Sequence, residues 1–140
     1  KWIEDQQEHL HDQDLLLQMD IEGDEYTTIL ATSDEVLNKF RIIVLELHHI
    51  ESWANPYVFS IVEVFFKKLL NNFHIVHNHP NNHGKLLNLN GFVVPQFMEM
   101  TLLRKDRSPS EGYSNVFPHP LDRPCYAGHP EIALPSNWHA

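Results

Sequence analysis

The stretch Leu15–Ile29, LLLQMDIEGDEYTTI, is an apolar run that stops at an acidic, glycine-containing corner and restarts with helical spacing. That pattern is expected of a strand delivering carboxylates to the rim of an α/β sheet, where ligands bind outside the carboxyl ends of the strands. Asp20, Glu22 and Asp24 therefore fall where chemistry is usually done. Lys1–Asp14, immediately upstream, holds no glycine. The Gly-rich turn that cradles a nucleotide phosphate in such a fold has no counterpart there.

Working outward, Leu15–Asp20 reads as a buried strand because its apolar residues run on without alternation, and Trp2–His11 upstream reads as a weak amphipathic helix. Downstream, Tyr26, Ile29 and Leu30 have helical spacing, and Ser33 with Asp34 offers a cap to a short turn carrying Val36 and Leu37. Arg41–Leu47, RIIVLEL, has the composition of a parallel strand covered on both faces. Pro56 suits the first turn of a long helix whose stripe is Val58, Ile61, Val62, Phe65, Phe66, Leu69 and Leu70, with Lys67 and Lys68 near its C-terminal end. Phe73–His79 is a further strand, broken by Pro80 and the turn residues Asn81 to Gly84. Leu86–Leu89 and Phe92–Val94 flank Asn90-Gly91, a two-residue hairpin signal. Phe97–Arg104 returns from that hairpin without a crossover helix, so it must lie antiparallel to the strand before it.

Residues 1–107 thus form one α/β unit, and 108–140 a proline-rich tail holding six of the nine prolines. Tyr113, Phe117, Tyr126 and Trp138 are the residues that would pin that tail across the domain, and free disorder is the alternative. Nineteen acidic against ten basic residues give a net charge of −9, which opposes phosphate backbones and excludes nucleic acid as the expected partner. Cys125 is the single cysteine, so no internal disulfide forms. No apolar stretch approaches the roughly 20 residues a bilayer requires. A cytoplasmic protein without a membrane partner is expected. Lys1 in place of Met suggests a piece of a longer chain, and a half-sheet with open edges should self-associate into a homo-oligomer.

Three stretches carry a family likeness: MDIEGDE at Met19–Glu25, FRIIVLELHHI at Phe40–Ile50, and the block His74–Lys105 with HIVHNHPNNHG, NGFVVP and MEMTLLRK. They resemble the C-terminal half of class I S-adenosylmethionine-dependent methyltransferases of the FkbM-like group, which methylate hydroxyls of sugars and other small metabolites. The likeness covers roughly residues 10–107, and FPHPLDRP at Phe117–Pro124 resembles the ends of some members. It implies a partial Rossmann-like sheet of mostly parallel strands with an antiparallel last strand, a small hairpin and an extended tail. The first two stretches match the family's fourth and fifth strands, and the third its sixth and seventh. S-adenosylmethionine is then the cofactor of the parent protein, while the glycine-rich turn and acidic residue that hold it have no counterpart here. The isolated chain is expected to be inactive and to supply the acceptor side for a small-molecule substrate. His83 and the pair His48-His49 depart from the family pattern.

Residues two apart on a strand share a face, so Glu46 and His48 project together while Asp20 ends the neighbouring strand. With strands about 4.8 Å apart, Asp20, Glu46 and His48 are the expected catalytic residues, and equally the ligands of a divalent cation. The competing reading has Asp20 capping the following helix and Glu46 bonding loop backbone. Glu22, His79 and Asn81 are expected to line the acceptor pocket. The cluster His74, His77, His79 and His83 looks like a zinc site, but the family strand order opposes it, and turn hydrogen bonding by Asn78, Asn81 and Asn82 is the favoured account. Glu99 is expected to face solvent or an ion pair, the run Arg104 to Arg107 to be a solvated strand end, and Cys125 to be a poor nucleophile. The alternative to an enzyme is a non-catalytic module whose histidines and carboxylates hold a metal ion for structure or assembly.

Overall fold

The computed structural model describes residues 15–108, 112–114 and 116–138. The helix expected at Trp2–His11 lies outside them. In chain order the elements are β1 (Leu15–Met19), α1 (Glu25–Ala31), α2 (Asp34–Leu37), β2 (Phe40–Leu47), a 3-10 turn (Ile50–Ala54), α3 (Pro56–Asn72), β3 (Phe73–Pro80), β4 (Leu86–Leu89), β5 (Phe92–Pro95) and β6 (Met98–Arg104). They make a mixed α/β fold with a four-stranded sheet in the order β1-β2-β6-β3 and a separate two-stranded sheet, β4-β5.

The expectation of a mostly parallel sheet is corrected by the pairing, because β1 with β2 is the single parallel pair of the four-stranded sheet. The cause is the route of the chain. From the β4-β5 hairpin it enters β6 directly, and β6 inserts between β2 and β3, antiparallel to both. β1, β2 and β3 consequently run the same way. The hairpin itself follows its sequence signal: Asn90 and Gly91 sit at φ of 54° and 94°, as a two-residue turn with both central residues in the left-handed region requires.

Local chemistry sets the helix ends. Ser33 Oγ accepts from the Val36 amide, and Asn55 Oδ1 accepts from the Tyr57 amide beside Pro56 at the start of α3. Lys68 does not simply face the α3 dipole; its ammonium donates to the carbonyls of Leu30 and Thr32 at the end of α1. Those carbonyls lack helical partners, so Lys68 ties the two helices.

The core lies between the helices and one face of the sheet. Ile43, Leu45 and Leu47 of β2 meet Leu102, Met100 and Met98 of β6 in register, and all are buried with Ile29, Val62, Phe65 and Leu69. β2 is thus not covered evenly on both faces: Ile42, Val44 and Glu46 are only half-buried, and burial alternates toward its end. On α3 the broad stripe narrows to Val62, Phe65 and Leu69, with Phe66 half-buried and Ile61 and Leu70 exposed. Its outer side also exposes Tyr57, Phe59 and Val64. No helix among the described residues is long and apolar enough to cross a membrane.

The tail is held chiefly by Asn82, whose buried amide donates to the carbonyls of Tyr126 (2.8 Å) and His129 (3.0 Å) and accepts from the Tyr126 amide (2.8 Å). Trp138 donates to Val93 O and Leu134 is buried, whereas Tyr113 stays exposed. Phe65→Ala should lower stability by about 3–5 kcal/mol and Phe66→Ala by clearly less, read by urea denaturation; equal losses would contradict this packing.

Candidate functional site

After β1 the chain turns through Glu22 and Gly23 at φ of 59° and 110°. Gly23 is required for a second reason: a Cβ there would come within 2.6 Å of the His49 ring. The corner is closed by Glu25, fully buried at the start of α1, whose carboxylate accepts from the amides of Ile21 (2.8 Å) and Gly23 (3.0 Å). The same carboxylate lies 3.2 Å from His48 Nδ1. Its acceptor role assigns the proton to Nδ1 and turns Nε2 outward.

Nε2 of the buried His48 faces three carboxylates, Glu22 at 3.5 Å, Asp20 at 3.7 Å and Glu46 at 3.9 Å. The structure thus brings Asp20, Glu46 and His48 together at the strand tips and adds Glu22 to them. Asp20 does not cap the helix; Glu25, which the sequence reading passed over, serves the corner amides instead. Its signal was its position directly after the acidic corner. Asp24 precedes α1 with no side-chain cap bond.

His48 is fixed from behind. Its carbonyl accepts from the Tyr26 hydroxyl (2.9 Å), which in turn accepts from Trp53 Nε1 (3.2 Å), and the Phe97 ring packs edge-on at 5.4 Å. Burial pushes the Tyr26 hydroxyl well above the usual phenol range, so it remains a donor. Burial also raises the Glu46 carboxyl, against a hydrogen bond from Asn81 Nδ2 (2.6 Å) and with a further push from Asp20. Asn81 thus reaches the rim as expected, through Glu46 rather than open space.

His79 does not. Register pairs Glu46 with Glu99 and Glu99 with His79, so these groups form a row across β2, β6 and β3. His79 Nδ1 lies 3.3 Å from Glu99 and Nε2 2.5 Å from Glu131 of the tail, and the Cys125 thiol donates to Glu99 at 3.0 Å. His77 pairs instead with Asp122 at 2.9 Å, His83 packs on the rings of Tyr126 and His129, and His74 is exposed. The four histidines do not converge. Glu99 faces the ion pair expected of it, with His79, whereas the contact of Cys125 with Glu99 and the pairing of Glu131 with His79 were not anticipated, because those partners lie far along the chain. Asp20, Glu22, Glu25, Glu46, Glu99 and Glu131 meet imidazoles, and none pairs with Lys or Arg among the described residues.

Among the described residues, one ligand atom each from Asp20, Glu25 and His48 lies within 4.8 Å of the others, as do atoms from His79, Glu99 and Cys125. Compared with protein-family models, curated proteins and solved structures, the chain matches none.

Burial opposes a charged His79, but the Glu131 and Glu99 carboxylates outweigh it and raise its pKa above the ordinary 6.5. The folded protein holds this proton more tightly than the unfolded chain, so the stabilisation is complete below about pH 6.5 and is lost as pH rises through the raised value. Urea midpoints should fall across that window in the parent chain, and the fall should flatten in His79→Gln; an unchanged slope would contradict the assignment.

Proposed function

We propose that this chain is the acceptor-side part of a Rossmann-like, S-adenosylmethionine-dependent O-methyltransferase acting on a small-molecule or sugar hydroxyl. The observation that carries the reading is the buried His48, anchored at Nδ1 by Glu25 and presenting Nε2 to Asp20, Glu22 and Glu46 at the carboxyl ends of β1 and β2. The antiparallel β6, inserted between β2 and β3, is in keeping with the antiparallel last strand that the family likeness implies. Among the described residues the outer edge of β1 pairs with no further strand and Leu16 is exposed; with the apolar outer side of α3 this supports a sheet that continues into, or self-associates with, another layer.

In this reading His48 Nε2 takes the proton of the acceptor hydroxyl, and Glu25 stabilises the imidazolium that forms. Asp20, Glu22 and Glu46 accept hydrogen bonds from neighbouring hydroxyls of the acceptor, and Asn81 holds Glu46 in place. Tyr26 and Trp53 are positioning residues that act through the His48 backbone. When bound, S-adenosylmethionine supplies the methyl group on its sulfonium. The described residues do not fit that cofactor: Gly23 is packed against His49 and no open glycine cradle accompanies it at this rim. The reading places cofactor binding outside them.

A second reading, a divalent cation held by Asp20, Glu25 and His48, is favoured by the mutual approach of their ligand atoms. The test is transfer of labelled methyl groups to a panel of small hydroxyl acceptors by the protein at its full natural length. His48→Gln should lower the rate by roughly 10²–10⁴-fold without removing acceptor binding. Absence of transfer, or transfer indifferent to His48→Gln, would refute the enzymatic reading, while Mn²⁺ uptake lost in Asp20→Asn would support the second. Light scattering should also show the chain associating, and a clean monomer at high concentration would count against an open β1 edge.

A further inference from the structure

We propose that His79, Glu99 and Cys125 form a binding site for a thiophilic divalent cation of the zinc class, which clamps the tail onto the sheet. The site stands apart from the reading of His48 and uses none of its residues. Its three ligands come from β3, β6 and the tail, and each offers a different ligand chemistry: an imidazole Nδ1, a carboxylate and a thiol. Magnesium and calcium prefer all-oxygen shells, whereas a set with sulfur and imidazole suits zinc.

One ligand atom from each of the three side chains lies within 4.8 Å of the others, close to the edges of a metal polyhedron. Nδ1 of His79 lies 3.3 Å from one Glu99 oxygen and Cys125 Sγ 3.0 Å from the other. A tetrahedron with bonds of about 2.0–2.3 Å has edges of about 3.3–3.8 Å. Small movements therefore seat an ion, and the exposed Cys125 leaves a fourth position to water.

An independent observation is the support behind the histidine. His79 is buried, and Nε2, the nitrogen turned away from Glu99 and Cys125, is bonded to the Glu131 carboxylate at 2.5 Å. A metal-bound histidine characteristically donates its second N–H to a carboxylate, which sets the tautomer and strengthens the ligand. Here that partner is already in place.

Charge points the same way. Glu46 and Glu99 stand opposite each other in register, and like charges across a strand pair repel. A cation beside Glu99 relieves that repulsion. On uptake the Cys125 S–H bond and the Nδ1–H bond of the protonated His79 ring break, S–metal and N–metal bonds form, both protons pass to solvent and no electron is transferred.

The test is titration of the whole chain with Co²⁺, the spectroscopic stand-in for zinc. The expected result is about one ion per chain with a near-ultraviolet thiolate-to-cobalt band, displaced by added Zn²⁺. Cys125→Ser, at an exposed position, should fold normally by circular dichroism and lose the band. Glu131→Gln should weaken uptake by roughly 10- to 100-fold, and Asp20→Asn should leave the band unchanged. Saturating Co²⁺ without a thiolate band, unchanged uptake in Cys125→Ser, no uptake at all, or a band lost in Asp20→Asn would each overturn the proposal.

Discussion

One buried carboxylate organises this rim. Glu25 is fully shielded from solvent, yet it accepts from the amides of Ile21 and Gly23 and lies against His48 Nδ1. A buried carboxylate without such partners would be costly, and the corner amides without an acceptor would be costly as well. Each group meets the other's need, so the turn after β1, the start of α1 and the ring at the end of β2 are held as one piece. The left-handed geometry of Glu22, Gly23 and His49 is the backbone strain that this arrangement sustains.

Everything beyond that corner follows from where β6 enters the sheet. By inserting between β2 and β3 it brings Glu99 into register with both Glu46 and His79. A direct β2-β3 neighbourhood would have merged the histidines of β3 with His48. Instead the sheet carries two separate imidazole-carboxylate groups, one anchored by a helix and one by the tail. The tail is correspondingly a structural participant, since Asn82 binds its backbone while Glu131 and Asp122 pair with His79 and His77.

The absence of Lys and Arg partners around these carboxylates, among the described residues, separates this rim from an ordinary solvated acidic surface. Carboxylates left to imidazoles and amides retain attraction for a proton or a cation. The proton abstraction proposed for His48 and the cation capture proposed for His79 would be two uses of the same electrostatic imbalance. The geometries differ in one respect: His48 is anchored by a carboxylate buried in the core, and His79 by one that the tail must deliver.

Much of this was legible in the residues themselves. The strand before the acidic corner, the Asn90-Gly91 hairpin and the α3 cap are local events, governed by side-chain periodicity and turn chemistry over a few residues. The convergence of Asp20, Glu46 and His48 was legible too, because adjacent parallel strands ending together bring their tips within reach. The even covering of β2 and the width of the α3 stripe were not, since burial depends on which faces meet other layers. Glu25 was passed over because an acidic residue at a helix start is ordinarily a solvated one, and only packing reveals that it is enclosed. Cys125 reaches Glu99 across 26 positions of chain and Glu131 reaches His79 across 52, distances over which no periodicity speaks. Sequence determined the elements and the character of the rim; the closing of the chain on itself decided which carboxylate meets which imidazole, because those pairings are set by strand order and tail path.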